Sequence, residues 1–259
     1  MALPDPEPGT RVLVTGASSG IGTELARELA GRGYDLVLAA RSLDRLEELA
    51  GELPVTAETR AVDLSSAEAR QALVDELHDV VGVCNNAGFG TSGRFLDQDP
   101  EREQEMIRLN VEALHHLTAA FLPQMIERGA GAILNLASTA AFQPLPGMAT
   151  YAATKAFVAS FSEAVHAELA GTGVSVTALC PGPTKTAFAE VAGVGEVWRR
   201  TPDLVLMGPE DVARAGVEAM VAGRRTAVPG LTNKLSSFGG RFVPRTFLLP
   251  VAAYAAKRA

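Results

Sequence analysis

Cysteine is scarce, no apolar run is long, and positive charge is nowhere concentrated; each shortage removes a class of function. The two cysteines, Cys84 and Cys180, lie inside the apolar runs VVGVC and VTALC, which suits buried reduced thiols rather than a disulfide framework or a metal site. Four histidines, at 78, 115, 116 and 166, fall in helical patterns without a ligand constellation, so no metal is expected. The 23 Lys and Arg are outnumbered by 30 Asp and Glu and are scattered along the chain, leaving no basic stripe for a nucleic acid. The apolar stretch FLLPVAAYAA at 247–256 is broken by Pro250 and falls short of the roughly 20 residues that span a bilayer. It could rest on a membrane surface but not cross one. The opening MALPDPEPGT has prolines and acids but no apolar core of an export signal. Residues 1–9 are therefore expected to be a disordered lead-in, and the protein to be cytoplasmic.

What the chain does contain is regular. Apolar, β-rich runs recur at RVLVT (11–15), DLVLAA (35–40), VTAETRAV (55–62), VVGVCN (80–85), GAILNLAS (131–138), GVSVTALC (173–180) and RTAVPG (225–230). Between them, in IGTELARELAGRG, LDRLEELAGEL, EARQALVDELHDV and the long stretch 101–128, apolar residues recur three and four apart, the period of a helix with one buried face. Alternating strands and helices imply βαβ units and a parallel sheet. Strands that are apolar throughout imply helices on both faces. No Pro/Gly/Ser linker or fixed-period repeat divides the chain. The expected fold is α/β: a single-domain doubly wound Rossmann fold, with a parallel sheet of about seven strands flanked by helices on both faces. It should occupy residues 10–232, with an apolar and basic tail at 233–259. Such sheets bind ligands beyond the carboxyl ends of their strands, where the strand order reverses.

The first strand is followed by TGASSGIG, Thr15 to Gly22, and then a helical pattern. Gly16, Gly20 and Gly22 let the backbone turn tightly and approach a phosphate, whose charge then meets the helix N-terminal amides. The same spacing also fits a merely tight strand-to-helix turn. At the end of the second strand, where a fold preferring NAD holds a carboxylate for the ribose 2′-hydroxyl, the chain reads LAARS. Ala40 offers no carboxylate, and Arg41 brings a guanidinium suited to a 2′-phosphate. NADP(H) is therefore expected in preference to NAD(H).

In YAATK, Tyr151 and Lys155 are four apart. On a helix they share one face about 6 Å apart in rise, so one ligand can meet both. A free tyrosine has a pKa near 10. A cation about 4 Å away, at an effective dielectric near 20, is worth roughly 4 kcal/mol, or about 3 pK units before desolvation opposes it. The expectation is a phenol drawn toward neutrality.

In their order along the chain, these segments resemble the short-chain dehydrogenase/reductase (SDR) family, of its NADP(H)-preferring type, from the first strand through PGP at 181–183. TGASSGIG is similar to the family's cofactor turn, which places Gly16, Ser18, Ser19, Gly20, Ile21 and Gly22 against the dinucleotide. Asp63 and Leu64 match the adenine contact. In NNAG at 85–88, Asn86, Ala87 and Gly88 match the motif closing the fourth strand. In PGPTKT at 181–186, Pro181, Gly182 and Thr184 match the segment beside the nicotinamide. Asn110 in RLNV, with Ser138, Tyr151 and Lys155, matches the catalytic set.

The resemblance implies an oxidoreductase that transfers hydride between NADP(H) and a carbonyl or secondary alcohol. Tyr151 would give a proton to the carbonyl oxygen and Ser138 would orient that oxygen. Lys155 would bind the nicotinamide ribose and lower the Tyr151 pKa, and Asn110 would hold a water that relays protons. It also implies a homodimer or homotetramer built on the helices of Asn110 and Tyr151. The rival reading is a non-catalytic NADP(H)-binding regulatory protein. A pure binder needs the glycine turn but not a proton donor, so the Ser138, Tyr151 and Lys155 set argues for chemistry.

Residues 183–208 form the expected substrate loop, long enough to be a lid or to carry helices of its own. Phe188, Val191, Val194, Val197, Trp198, Leu204 and Met207 make it apolar, with Arg199 and Arg200 adding charge. A hydrophobic ketone or aldehyde is the substrate this inventory suits. The tail carries Phe238, Phe242, Phe247, Leu248 and Leu249 with Arg241, Arg245, Lys257 and Arg258. It suits packing over the substrate mouth or across a subunit interface, or a peripheral membrane contact.

Overall fold

A computed structural model describes residues 2–7, 9–199, 206–242 and 245–256. Among these, seven strands form one sheet: β1 (Arg11–Thr15), β2 (Asp35–Ala40), β3 (Ala57–Ala61), β4 (Val80–Asn85), β5 (Gly131–Leu136), β6 (Val174–Leu179) and β7 (Thr226–Ala227). Their spatial order is β3-β2-β1-β4-β5-β6-β7, and every pairing is parallel. The order reverses between β1 and β4, as a doubly wound sheet requires. The helices are α1 (Gly20–Gly31), α2 (Leu43–Glu52), α3 (Ala67–Glu76), α4 (Pro100–Ile107), α5 (Leu114–Arg128), α6 (Ala149–Glu168), α7 (Phe188–Val191), α8 (Gly195–Arg199), α9 (Pro209–Val221), α10 (Leu231–Phe242) and α11 (Arg245–Ala256).

Successive side chains of a strand point to opposite faces, and both faces are covered. Val12, Val14, Leu36 and Leu38 meet Leu29 of α1, Leu46 of α2 and Met220 of α9 on one side. Leu13, Val37, Val83 and Ile133 meet Leu73 of α3 and Phe121 of α5 on the other. A third cluster joins Val158 and Ala159 of α6 to Ala178 of β6. The inner strands therefore read as unbroken apolar runs because neither face looks to water, whereas the edge strand β3, AETRA, is polar and only partly buried.

Two features depart from the sequence expectation. The helical stretch 101–128 is not one regular helix. Asp99 accepts the Glu101 amide at 3.0 Å to begin α4, and a π-helical turn at Arg108–Ala113 separates α4 from α5. That turn carries Asn110. Secondly, the lead-in expected to be disordered is folded over residues 2–4. Leu3 is fully buried in the core beside Met220. The Ala2 amide donates to Val221 O at 3.2 Å and Ala2 O accepts the Gly131 amide at 3.1 Å, while the Tyr34 hydroxyl donates to Pro4 O at 2.7 Å. One leucine among prolines and acids has no periodicity to announce its burial; α9, β5 and Tyr34 supply the site that receives it.

The tail is not separate from the sheet domain. It begins within α10, which packs on the 3-10 turn Thr139–Phe142. Arg200, Leu204, Lys257 and Arg258 lie outside the described residues, as do the side chains of Val197, Phe238, Arg241, Phe242, Phe247 and Leu248. Cys84 and Cys180 are both buried thiols. No helix among the described residues is long and apolar enough to cross a membrane. Nor do these residues include a group of three or more His, Cys, Asp or Glu that could hold a metal.

Leu3→Ala is expected to cost about 2–5 kcal/mol, as for other buried leucines, read as a lower urea midpoint at unchanged slope. An unchanged midpoint would mean that the N-terminal segment is not docked in solution.

Candidate active site

Loops at the carboxyl ends of the strands surround a cleft of about 670 Å³. Its cofactor side is built on the turn after β1. Gly16 and Gly20 take left-handed backbone, with φ of 66° and 57°. A Cβ on Gly22 would lie 2.1 Å from Gly16 O and 2.5 Å from Asn86 Nδ2, so only glycine lets α1 start this close to the strand ends. The hydroxyl of buried Thr15 accepts the amides of Asn86 at 3.0 Å and Ala87 at 3.1 Å and donates to Cys84 O. Asn86 Nδ2 donates back to Thr15 O at 2.9 Å and Gly16 O at 3.2 Å. Ser19, at the N-cap of α1, makes no side-chain capping bond. The first amides of α1 are thus left for an anion, and Ser18, Ser19, Gly20 and Ile21 line the cleft. This glycine cradle at a helix N-terminus fits the diphosphate of a dinucleotide.

Arg41, with Ser42 and Arg45, lines the far end of the cleft. The Arg41 side chain is 66% exposed and its Nη1 lies 3.5 Å from Glu105 Oε1, while Arg102 holds the other carboxylate oxygen at 2.6 Å. An exposed pair of that length contributes little, so the guanidinium can turn to a phosphate at small cost. Asp63 accepts the amide of Ser65 at 2.9 Å and its hydroxyl at 2.7 Å. These bonds, helped by the Arg41 charge, hold its carboxyl below the ordinary value. Buried Arg70 fixes the next residue by donating to Leu64 O at 2.8 Å.

At the reacting end, Ser138 follows β5 while Tyr151 and Lys155 occupy the first two turns of α6; all three line the cleft. Ser138 Oγ accepts the Ala140 amide at 3.1 Å and donates to Pro181 O at 3.4 Å. Lys155 Nζ donates to Leu136 O at 2.7 Å and stands 5.8 Å from the centre of the Tyr151 ring. The phenol expected near neutrality is not found. Burial pushes Tyr151 up to about 12, against the opposing pull of a hydrogen bond with Ser138. Burial also pushes Lys155 down to about 8. Desolvation wins because both groups are buried and the ammonium is spent on a backbone carbonyl.

Asn110 does not line the cleft. Its Oδ1 accepts the Phe89 amide at 3.1 Å, and its Nδ2 donates to Phe89 O at 2.9 Å and Thr154 Oγ1 at 3.2 Å. It stands one layer behind, holding the loop after β4. Asn86, Ala87 and Gly88 of that loop line the cleft, as do Pro181, Gly182 and Thr184. A Cβ on Gly182 would come 2.2 Å from Asn233 Oδ1 of α10, so the tail also requires this glycine.

Beyond Tyr151 the cleft is lined largely by apolar side chains, with Gln143 and Arg102 among them. Phe188 of α7 sets its ring 5.3 Å from that of Tyr151 and 5.9 Å from that of Trp198 in α8. Gly90 makes room: a Cβ there would meet Phe188 Cζ at 2.8 Å and Tyr151 Cδ2 at 3.1 Å. Phe142, Leu145, Met148 and Val194 complete the wall.

The sequence model of the short chain dehydrogenase family matches residues 10–197. The chain belongs to that family. Sulfoacetaldehyde reductase 2 of Chromohalobacter salexigens is 41% identical over 193 residues, which cover 71% of this chain and 77% of the relative. A short-chain dehydrogenase from Sphingobium yanoikuyae, solved in complex with NADPH, superposes with a TM-score of 0.80 at 34% identity, covering 93% of this chain and 95% of that one. The bulky-bulky ketone specific alcohol dehydrogenase from Comamonas testosteroni gives a TM-score of 0.75 at 29% identity, covering 89% and 92%. As a short chain dehydrogenase, the chain is an oxidoreductase that uses a nicotinamide cofactor and acts on alcohol or carbonyl groups.

Some cleft residues of this short chain dehydrogenase carry no signal in the sequence. Ser42 and Arg45 look like ordinary residues at the start of a helix, and Phe89, Thr139 and Ser237 belong to no motif. Beneath the cleft, Asn85 Nδ2 donates to Asn135 Oδ1 at 2.9 Å and Asn135 Nδ2 to Ser162 Oγ at 3.0 Å, tying β4, β5 and α6 together. Asn135 was hidden inside an apolar strand.

Gly90→Ala is expected to displace Phe188. Since Trp198 is the chain's single tryptophan, the result should be a red shift of its emission; an unshifted spectrum would place Phe188 elsewhere. Lys155, at about 8 against its ordinary 10.5, binds its proton less tightly folded than unfolded. Between those values the unfolded state holds more protons, so this residue makes stability rise with pH there. The stability difference between wild type and Lys155→Met, from urea melts, should grow in favour of wild type from pH 8 to 10.5. A constant difference would refute the depressed ammonium.

Proposed function

We propose that the chain is an NADPH-dependent reductase of hydrophobic ketones or aldehydes, and that it also runs the reverse oxidation of secondary alcohols. The observation that carries the substrate class is the set of rings closing on Tyr151: Phe188 at 5.3 Å, backed by Trp198. When bound, the nicotinamide supplies the hydride for reduction or accepts it in oxidation. Tyr151, protonated throughout the neutral range because its pKa is raised, donates its phenolic proton to the carbonyl oxygen. Ser138, whose hydroxyl pulls the Tyr151 pKa down against burial, orients that oxygen and steadies its growing charge. Lys155 stands by with a charge that stabilises the phenolate left behind. Asn110 fixes the loop that carries Phe89 and Gly88; the water relay expected of it would start from this position.

The preference for NADPH is supported by Arg41 and Arg45 where a carboxylate would favour NADH, and by the solved relative that holds NADPH. A second substrate reading comes from the sulfoacetaldehyde reductase likeness. A short anionic aldehyde would need a cation, and Arg102, 3.8 Å over the Phe89 ring and lining the cleft, is a candidate. Its bond to Glu105 at 2.6 Å offsets that charge, which favours the hydrophobic reading. The proposed homodimer or homotetramer would use the outer face of α6, where Phe157, 39% exposed, stacks on Phe161. A peripheral membrane contact would use Leu231 and Leu235 on the outer face of α10.

The test is oxidation of NADPH and of NADH at 340 nm with ketones of rising size and with sulfoacetaldehyde. NADPH should be used faster, and kcat/KM should rise with apolar bulk. Tyr151→Phe should lose roughly 10²- to 10⁴-fold in turnover while still binding NADPH. Tight NADPH binding by wild type without turnover of any carbonyl would favour the regulatory reading.

A further inference from the structure

We infer that Ser237, on the tail helix α10, binds the substrate, and that the substrate carries a second, uncharged oxygen remote from the carbonyl that reacts. The inference rests on the reductase reading. Asn233 and Ser237 are four apart on α10 and share its inner face, while Leu231 and Leu235, 73% and 66% exposed, mark its outer face. Asn233 anchors the helix: its Nδ2 donates to Pro229 O at 2.9 Å and its side chain lies directly over Gly182. One turn further on lies Ser237, and α10 packs against the 3-10 turn that follows Ser138.

There Ser237 is 8% exposed, lines the cleft, and its Oγ has no protein partner among the described residues. A buried serine in a helix ordinarily bonds back to the carbonyl four residues earlier. Ser162 does so in α6, donating to Val158 O at 2.7 Å. Ser237 does not, so its hydroxyl is spared for whatever enters the cleft. A buried hydroxyl left unpaired is costly, and neither α10 nor the turn Thr139–Phe142 against which it packs gives this one a partner. A hydroxyl both donates and accepts, which matches an alcohol, ether or ester oxygen. The substrate class becomes a hydrophobic ketone or aldehyde bearing such a group, for example a keto ester or a hydroxyketone.

The experiment compares eight-carbon ketones that carry a hydroxyl or ester oxygen at successive positions with the plain alkanones, for wild type, Ser237→Ala and Ser237→Thr. Both kcat/KM with NADPH and, by thermal shift on the NADP+-loaded protein, ligand affinity are measured. Ser237→Ala should lower the preference for the best oxygen-bearing ketone over its plain analogue by roughly 3- to 10-fold, and Ser237→Thr should retain it. An unchanged preference, or a loss confined to cofactor affinity, would overturn the inference while leaving the reductase reading intact. Turnover absent from every wild-type reaction, with a Ser237-dependent affinity for oxygen-bearing ketones, would overturn the reductase reading and leave the subsite standing. Absence of both would overturn the subsite as well.

Discussion

The turn after β1 approaches the end of β4 at a distance that no side chain on Gly22 would allow, since its Cβ would lie 2.5 Å from Asn86 Nδ2. Much else in the cofactor half hangs from that approach. It brings Thr15 and Asn86 within hydrogen-bond reach of each other's backbones, which locks the first and fourth strands at the point where the sheet order reverses. It also sets the N-terminal amides of α1 at the edge of the cleft, with Ser19 leaving them uncapped. An anion-binding site results from a packing constraint, because helix amides that cannot be satisfied from within must find a partner elsewhere.

The reacting end depends on the opposite effect, the removal of water. Tyr151 and Lys155 are both buried, and burial opposes charge on each: the phenol keeps its proton and the ammonium holds its own less firmly. Burial outweighs the one opposing influence on the phenol, the Ser138 hydroxyl, while Lys155 is turned to Leu136 O. The proposed carbonyl reduction would be served by this balance, since it needs a protonated donor before the reaction and a nearby cation while the phenolate forms. The Asn85–Asn135–Ser162 chain below ties β4, β5 and α6 together and keeps Ser138 and Tyr151 in register.

Runs in the sequence located the strands, the central ones because a sheet covered on both faces makes them apolar throughout, and helical periodicity located α1 to α3. The motif residues were legible for a different reason: Gly16, Ser138, Tyr151 and Lys155 stand at strand ends or helix starts, and those ends meet at one edge of a parallel sheet. Leu3 was not legible, since its burial depends on a groove made by residues far along the chain. Nor was the π-helical turn at Asn110, where one amide leaves the helix to hold the Phe89 backbone. The tail was readable only as an apolar and basic segment. That α10 brings Ser237 to the cleft, and that Gly182 is small because Asn233 lies over it, are facts of packing.

By itself the sequence determined the α/β class, the strand and helix positions and the chemistry-bearing residue types, because these follow from local periodicity and from motifs a few residues long. Tertiary structure decided which polar groups are desolvated and which atoms they face. It turned the expected low phenol pKa into a raised one, withdrew Asn110 from the cleft wall and brought Ser237 onto it. The physical reason is that burial and hydrogen-bond partnership are set by residues distant in the chain, and a spacing of four along one helix carries no information about them.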